Sequence, residues 1–486
     1  MKMWLTDIMM VLFAGAMLCL LVDLAKDYTN NWRVYVGGIV CTAFLGITLI
    51  DVLLNWSIGV GPVPVRPVES ALASLYVVDK FSTFVIFTIL AVGLAVSFYS
   101  WKSVNVKDNV GPFFGLLLIL LLSLVGIAAA GDLLTLFLFW EAMSVAAYGL
   151  VAWKKEVTVS LEAALKYLFL AGAGSLIALF GISIIYSLAG SIQLQDLPRV
   201  FQNDPRLGSL GLAMLFVGLG VEAAIFPLHT WLPDAYSAAP TPVSATLAGI
   251  VTETAVFALI KIVNPTFVLP SATQLSQVPV GTFQLTLALI AVLTMLIGNL
   301  GALGQTNVKR LLSYSSIAHV GYMLAALATF SVLGVVAIVF HIWNHGLVKS
   351  SFFMLTGNKG SDYKNSELSE MKGLFGENRV LGGMFALSSL GMIGVPPFGT
   401  FWSELLIIQS LFATNQITFY ILGAIVVLNI AISVGYFSKV ITSVSQHSEG
   451  GARLPTPWRL TISPLLLILL SLLTGFIPWL LLGRIS

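Results

Sequence analysis

Residues 220–234 read GVEAAIFPLHTWLPD, and the fold turns on how this stretch is read. Glu222 is an acid in an apolar run, where placing a charge at the centre of a bilayer-spanning helix costs roughly 2.5–3.5 kcal/mol by insertion scales. Five residues later, Pro227 removes a backbone donor and clashes with the preceding turn, so a helix carrying Glu222 is interrupted there. A membrane segment keeps an acid and a break together where both face a polar cavity, because the freed backbone groups and the charge then share one hydrated space.

The rest of the chain is of membrane type. Hydrophobic residues make up 58% and charged residues 9% of 486, and apolar runs of about 20 residues, enough to cross a core of ~30 Å, recur from end to end. The expected fold class is an all-α polytopic membrane protein with about 14 transmembrane helices in one membrane domain, 1–486. Cutting at Gly, Pro and charge clusters places the spans at roughly 4–22, 33–54, 82–100, 112–130, 132–152, 163–189, 209–231, 243–264, 283–302, 312–330, 333–356, 380–412, 416–441 and 461–483. The N-terminal run carries Asp7 and no small-residue cleavage site, which reads as a retained first span.

Lysine and arginine set the orientation. Loops after odd-numbered spans hold fifteen (Lys26, Arg33, Lys102, Lys107, Lys154, Lys155, Lys309, Arg310, Lys359, Lys364, Lys372, Arg379, Lys439, Arg453 and Arg459), and the opposite side holds seven. The positive-inside rule then puts both termini outside and the 303–311 and 357–379 loops in the cytoplasm, as for a multi-pass protein of the cell membrane. Cys19 and Cys41 are isolated thiols in apolar context and read as buried small hydrophobes. With no cysteine cluster motif, phosphate loop or dinucleotide fingerprint, the chain is expected to carry no cofactor or metal and to bind no nucleic acid.

The chemistry lies in ionisable residues inside spans, whose desolvation needs a partner or a hydrated cavity. They are Glu141, Lys166, Glu222, Glu253, His319, His341, His345, Lys349 and Glu404. His341, His345 and Lys349 are spaced i, i+4, i+8, which stacks them on one helical face within about 12 Å of rise. Two histidines at that spacing suit zinc, but a neighbouring lysine repels a metal, and imidazole changes charge near neutral pH, so a proton relay is the better reading. Asp132, after Gly131, reads as a helix cap, Lys261 as a snorkelling lysine near a helix end, and Asp51 as interfacial.

A second break, Pro396-Pro397, precedes Glu404 as Pro227 follows Glu222. The interrupted spans are the seventh and the twelfth, the spacing of two five-helix repeats. Spans 1–3 occupy 1–110, spans 4–8 form a first repeat over 111–265, spans 9–13 a second over 283–441, and a C-terminal span follows within 442–486. An odd number of spans per repeat inverts the second copy, an arrangement of transporters.

FPLHTWLPDAYSAAPTPVSATLAG (226–249), NVKRLLSYSSIAHVGYM (307–323), FHIWNHGLVKSSFFMLTG (340–357) and GVPPFGTFWSELL (394–406) together resemble the antiporter-like family shared by complex I, multisubunit cation/proton antiporters and membrane-bound energy-converting hydrogenases. The stretches 139–155 and 160–191 look closest to the N-type subunit of complex I or the D-type antiporter subunit, while the HxxxHxxxK row is more like the L-type. The resemblance implies an ion-pumping module driven by neighbouring membrane and redox subunits, with iron–sulfur clusters, quinone or flavin in those partners. It implies that Glu141 is the buried acid of span five, Lys166 a span-six lysine, His341, His345 and Lys349 the central relay, and Glu404 the exit-side group. Two positions depart from the pattern. Glu222 and Glu253 stand where the family usually has lysines, so the usual Glu–Lys pair of the first repeat is absent, and Glu141 and Glu222 are expected to share a proton.

Three functions remain open at this point: a redox-driven H⁺ or Na⁺ translocating subunit, a subunit of a multisubunit Na⁺/H⁺ antiporter, and a non-conducting scaffold. The orientation is testable first. Cysteines at Ser361 or Asn365 should resist an impermeant thiol reagent in intact cells and react in inverted vesicles; labelling from outside reverses the topology.

Overall fold

The computed structural model describes residues 5–21, 32–57, 75–104, 110–154, 156–268, 279–357, 366–446 and 458–485. Lys26, Arg66, Lys107, Lys155, Lys359, Ser361, Lys364, Asn365 and Arg453 lie outside them, so the orientation expected from loop charge is not addressed by their structure. The chain runs through helices α1 (Leu5–Leu21), α2 (Trp32–Ser57), α3 (Lys80–Ser103), α4 (Val110–Ala129), α5 (Leu133–Val151), α6 (Thr158–Ala189), α7 (Pro205–Glu222), α8 (Leu232–Ala238) and α9 (Thr241–Thr266). It continues through α10 (Val280–Leu303), α11 (Val308–Leu327), α12 (Val332–Thr356), α13 (Arg379–Ile393), α14 (Gly399–Phe412), α15 (Ile417–Ser445), α16 (Trp458–Phe476) and α17 (Pro478–Ile485).

Among the described residues, ten helices are long and apolar enough to cross a membrane, or eleven if one bent pair counts as a single span. α1 and α13 are apolar but shorter. The breaks fall where proline placed them. The expected seventh span, 209–231, stops as an α-helix at Glu222 and runs through the break into the short helical turn Leu228–Trp231, with α8 beyond it; the twelfth is divided into α13 and α14, and cis bonds lie at Phe226–Pro227 and Pro396–Pro397. The expected continuous span over 461–483 is instead bent by 81° between Phe476 and Pro478. Gly475 packs there against the Pro397 carbonyl, and Trp402 donates to the Gly475 carbonyl at 2.8 Å.

Side-chain caps start several helices as the sequence suggests. Asp132 accepts from the Thr135 amide at 2.8 Å and its hydroxyl at 2.7 Å, Asn307 caps α11, and Ser331 caps α12. Lys261 reaches back to donate to the Ala130 and Val77 carbonyls at 2.7 and 3.2 Å, Asp51 is buried, and the thiols of Cys19 and Cys41 are free and buried.

Burial is inverted relative to a water-soluble protein. The membrane-type window of α9 is wholly buried and that of α12 is 89% buried, while that of α10 is 22% buried. α9 and α12 carry Glu253, His341, His345 and Lys349, and hydrocarbon cannot solvate such groups, so the helices that carry them are wrapped by the others. The two cross at glycines. A Cβ on Gly346 would lie 2.6 Å from the Gly249 carbonyl oxygen, and one on Gly249 would lie 3.1 Å from the Gly346 oxygen. α9 is π-helical there, over Leu247–Val251, and the extra residue in that wide turn re-aims the next turn, which carries Glu253. α6 and α7 approach through another glycine pair, with a Cβ on Gly218 only 2.5 Å from the Gly174 oxygen.

Gly346→Ala should therefore push α9 from α12 and cost about 1–3 kcal/mol of overpacking. Gly383→Ala, whose Cβ meets nothing within 4 Å, is the control. Thermal unfolding of the purified complex should separate the two variants, and equal midpoints would remove the close crossing.

Candidate functional site

The α9–α12 crossing assembles one buried cluster. His341, His345 and Lys349 lie on α12 and are fully buried. α11 adds His319, whose ring centroid is 4.4 Å from that of His345 and 5.2 Å from that of His341. His319 Nδ1 is 3.1 Å from His341 Nε2, and His341 Nδ1 is 2.9 Å from Ser403 Oγ on α14. Because the Ser403 hydroxyl donates to the Thr400 carbonyl at 2.9 Å, its oxygen accepts from His341 Nδ1. That leaves His341 Nε2 to accept from His319 Nδ1. At the other end, Glu253 Oε1 lies 2.5 Å from His345 Nδ1. Glu253, expected in the first repeat's machinery, is thus in contact with the histidine row of the second.

Lys349 donates to the Leu312 carbonyl at 3.1 Å and to Ser315 Oγ. Ser315 donates to the same Leu312 carbonyl at 3.2 Å, and a further hydrogen-bonded set joins α10, α11 and α15 around Tyr436. Tyr436 donates to Asn299 Oδ1 at 3.0 Å, and the Asn299 amide donates to Tyr322 and Asn429, each at 3.0 Å. These four neutral residues are not among those that the charge pattern of the sequence singles out. The available signal was an isolated asparagine in each of two apolar runs, LIGNLG and VVLNIA. Several cluster atoms, Glu253 Oε2, His345 Nε2 and His319 Nε2 among them, have no protein partner, and buried polar atoms of this kind are satisfied by water or ions.

Glu222 sits apart, fully buried at the end of α7. Ser144 of α5 and Tyr167 of α6 donate to its two carboxylate oxygens, each at 2.7 Å. Tyr167 stacks on Trp231 at 4.0 Å and 6°, and the Trp231 indole donates at 2.8 Å to the Val221 carbonyl, which also accepts from the Ala224 amide at 3.0 Å. Glu141 is one turn before Ser144 on α5. It is only half-buried, on the stripe of α5 where Leu138 and Val145 are exposed.

Lys166 turns away from both acids. Its ammonium is 2.6 Å from Asp234 Oδ2, and the Arg310 guanidinium is 2.6 Å from Oδ1 of the same carboxylate, at the protein surface. Glu404 is buried in the first turns of α14, one residue after Ser403. Its carboxylate occupies the space beside Gly394, where a Cβ would come 2.2 Å from Glu404 Oε2, and Gly394 has φ +74°. Glycine is required there for both reasons. Among the described residues, no group of three or more His, Cys, Asp or Glu is arranged to hold a metal ion.

Glu253, His345, His319, His341 and Lys349 thus form one group, Glu404 lies on α14 one residue after the Ser403 that meets His341, and Glu222 with Glu141 forms a second. Lys166 belongs to neither.

Residues 130–430 match the family described as NADH:quinone oxidoreductase/Mrp antiporter, TM. NADH-quinone oxidoreductase subunit N of Desulforudis audaxviator is 31% identical over 387 residues, 78% of this chain and 75% of that protein. Among solved structures, respiratory complex I from Thermus thermophilus has a chain that superposes with a TM-score of 0.80 at 26% identity, covering 99% of each. The membrane-bound sulfane sulfur reductase, an archaeal respiratory membrane complex, gives 0.85 at 26% identity over 99% of this chain and 96% of its own. The two breaks, the buried histidine row and these likenesses agree: the chain belongs to the NADH:quinone oxidoreductase/Mrp antiporter transmembrane family.

Proposed function

We propose that this chain is a proton-translocating membrane subunit of a redox-driven, complex I-like assembly. Its electron carriers, whether iron–sulfur clusters, quinone or flavin, sit in partner subunits. The observation that carries this reading is the contact of Glu253 on α9 with the row His345, His319, His341 and Lys349. Each member binds or releases a proton, Glu253 and the three histidines touch, Lys349 follows His345 by one turn of α12, and all lie in spans that lipid surrounds. Glu404, on the same helix as the Ser403 that meets His341, is the exit-side group of this reading, and Glu141 and Glu222 form a separate acidic site in the first half.

The same proposal takes the chain as about 14 spans with both termini outside, built as inverted repeats over 111–265 and 283–441. Protons suit Glu222 better than sodium. Both of its oxygens accept from hydroxyl groups, whereas a bound cation needs oxygen lone pairs directed at it. This also weighs against the Na⁺/H⁺ antiporter reading. The half-exposed surface pair of Lys166 and Asp234 gives Lys166 a docking role in place of a relay role, and such pairs are worth about 0–1 kcal/mol.

Proton flux per electron in vesicles tests the proposal. Lys349→Ala should abolish most coupled flux while electron transfer persists, and Lys349→Arg should not restore it, because guanidinium does not release a proton in the useful range. Wild-type coupling in Lys349→Ala would leave the scaffold reading standing. Glu222→Gln should keep the Ser144 and Tyr167 contacts in part yet lower flux; normal stoichiometry there retires the first-half site. A loss in Glu222→Gln that sodium concentration reverses, and pH does not, assigns cation binding to it.

A further inference from the structure

The break after Glu222 has an outer side that the ion site does not use. α7, the break, the end of α9 and α10 enclose a groove of about 500 Å³. It is lined by Ala213, Val217 and Gly220 of α7, Phe226 and Pro227 of the break, and Leu293 of α10, and Thr286 is its one polar side chain. Ala213, Val217, Pro227 and Leu293 are all exposed, so the groove opens sideways, into the bilayer.

Its floor offers nothing to water. The Phe226 amide, freed by the break, donates inward to Thr294 Oγ1 at 3.2 Å, and the Leu228 amide to the Ile225 carbonyl at 2.6 Å. What faces the groove is hydrocarbon, and an apolar slot of this kind stays dry and takes an apolar occupant. The mouth carries a charge. Arg206 lies in the first turn of α7 at i−7, i−11 and i−14 from Ala213, Val217 and Gly220, so it heads the same helical stripe. It is exposed, and among the described residues its guanidinium is in no ion pair. From Arg206 to Gly220 the helix rises about 21 Å, and half a bilayer including headgroups is about 20–22 Å. One leaflet's lipid therefore fits from cation to break.

We propose that this groove is an acyl-chain site: one chain of a phospholipid lies along α7 from its first turn to Pro227, with the phosphate at Arg206. A chain seated there covers the lipid side of the break, a short distance from Glu222, and keeps the ion site's water from reaching the bilayer. The inference rests on the chain spanning a membrane and not on which ion, if any, it moves.

The test reconstitutes the intact complex in nanodiscs containing a phospholipid with a photoreactive diazirine at the end of one acyl chain, and maps labelled residues by mass spectrometry. Labelling at Phe226, Pro227 and Leu293 should exceed, several-fold, that at Phe169 and Leu176, each 72% exposed on α6, which serve as the comparison. Ala213→Trp and Val217→Trp, each filling the groove from its open side, should remove the excess. Arg206→Gln, a surface change that keeps the groove intact, should lower it. Even labelling of α6 and the groove overturns the proposal, as does crosslinking of groove residues to a helix of a neighbouring subunit. A diazirine fatty acid that labels the groove as strongly as the phospholipid, with no response to Arg206→Gln, overturns the phospholipid assignment. Flux measured alongside separates the two questions, since groove labelling with normal or absent pumping supports the lipid site in either case.

Discussion

The contact between the Glu253 carboxylate and the His345 imidazole is the constraint on which the architecture depends. Neither group is tolerated alone in a low-dielectric interior, and together, hydrogen-bonded, they are far less costly. Bringing them together requires α9 and α12 to touch, which the Gly249 and Gly346 backbones allow and no larger residue would. The wide turn over Leu247–Val251 then directs Glu253 at the histidine row. Once those two helices are paired, every other span has a place: around them, with its own apolar face turned to lipid. The peripheral helices α6, α10 and α15 accordingly expose large side chains such as Phe169, Leu289 and Leu428.

Much of this was legible in the sequence. Proline marked both breaks, the i, i+4, i+8 spacing put His341, His345 and Lys349 on one face, and Asp132 after Gly131 announced a cap. Spacing fixes which residues share a face of one helix. It does not say which neighbour that face meets. For that reason Lys166 was expected among the first-half acids, yet its flexible stem lets the ammonium leave the apolar face for Asp234 near the surface. Glu253 was expected in the first repeat, and a helix crossing set by two glycines far apart in sequence sends it to His345. The bend after Phe476 was missed because composition reports apolar length, and 461–483 is apolar throughout.

The two acids that stand where the resemblance leads one to expect lysines have each found donors of a different kind. Glu222 is held by the hydroxyls of Ser144 and Tyr167, and Glu253 by an imidazole. A hydrogen bond to a charged group contributes about 1.5–3 kcal/mol, so two hydroxyls go a good way towards replacing what an ammonium would supply. They do so without fixing the site's charge. A Glu–Lys pair is neutral as a unit and changes by breaking; a carboxylate held by hydroxyls changes by taking up or giving off its own proton.

The two sites are also kept apart by an aromatic wall. Tyr167, bonded to Glu222, stacks on Trp231, and Trp231 meets Tyr236 edge-on at 6.2 Å. The Tyr236 hydroxyl contacts Thr252, the residue before Glu253. The wall thus presents a hydroxyl to each site with an indole between them, and that indole's only N–H is held by the Val221 carbonyl beside Glu222. Proton hopping needs an unbroken series of groups that both donate and accept, and indole accepts nothing. Along this line of side chains no unbroken series of donors and acceptors joins Glu222 to Glu253. Because Trp231 lies in the short helical turn between Pro227 and α8, whatever shifts the broken helix shifts the wall as well. The proline break therefore fixes the place of Trp231 as well as the end of α7 that carries Glu222.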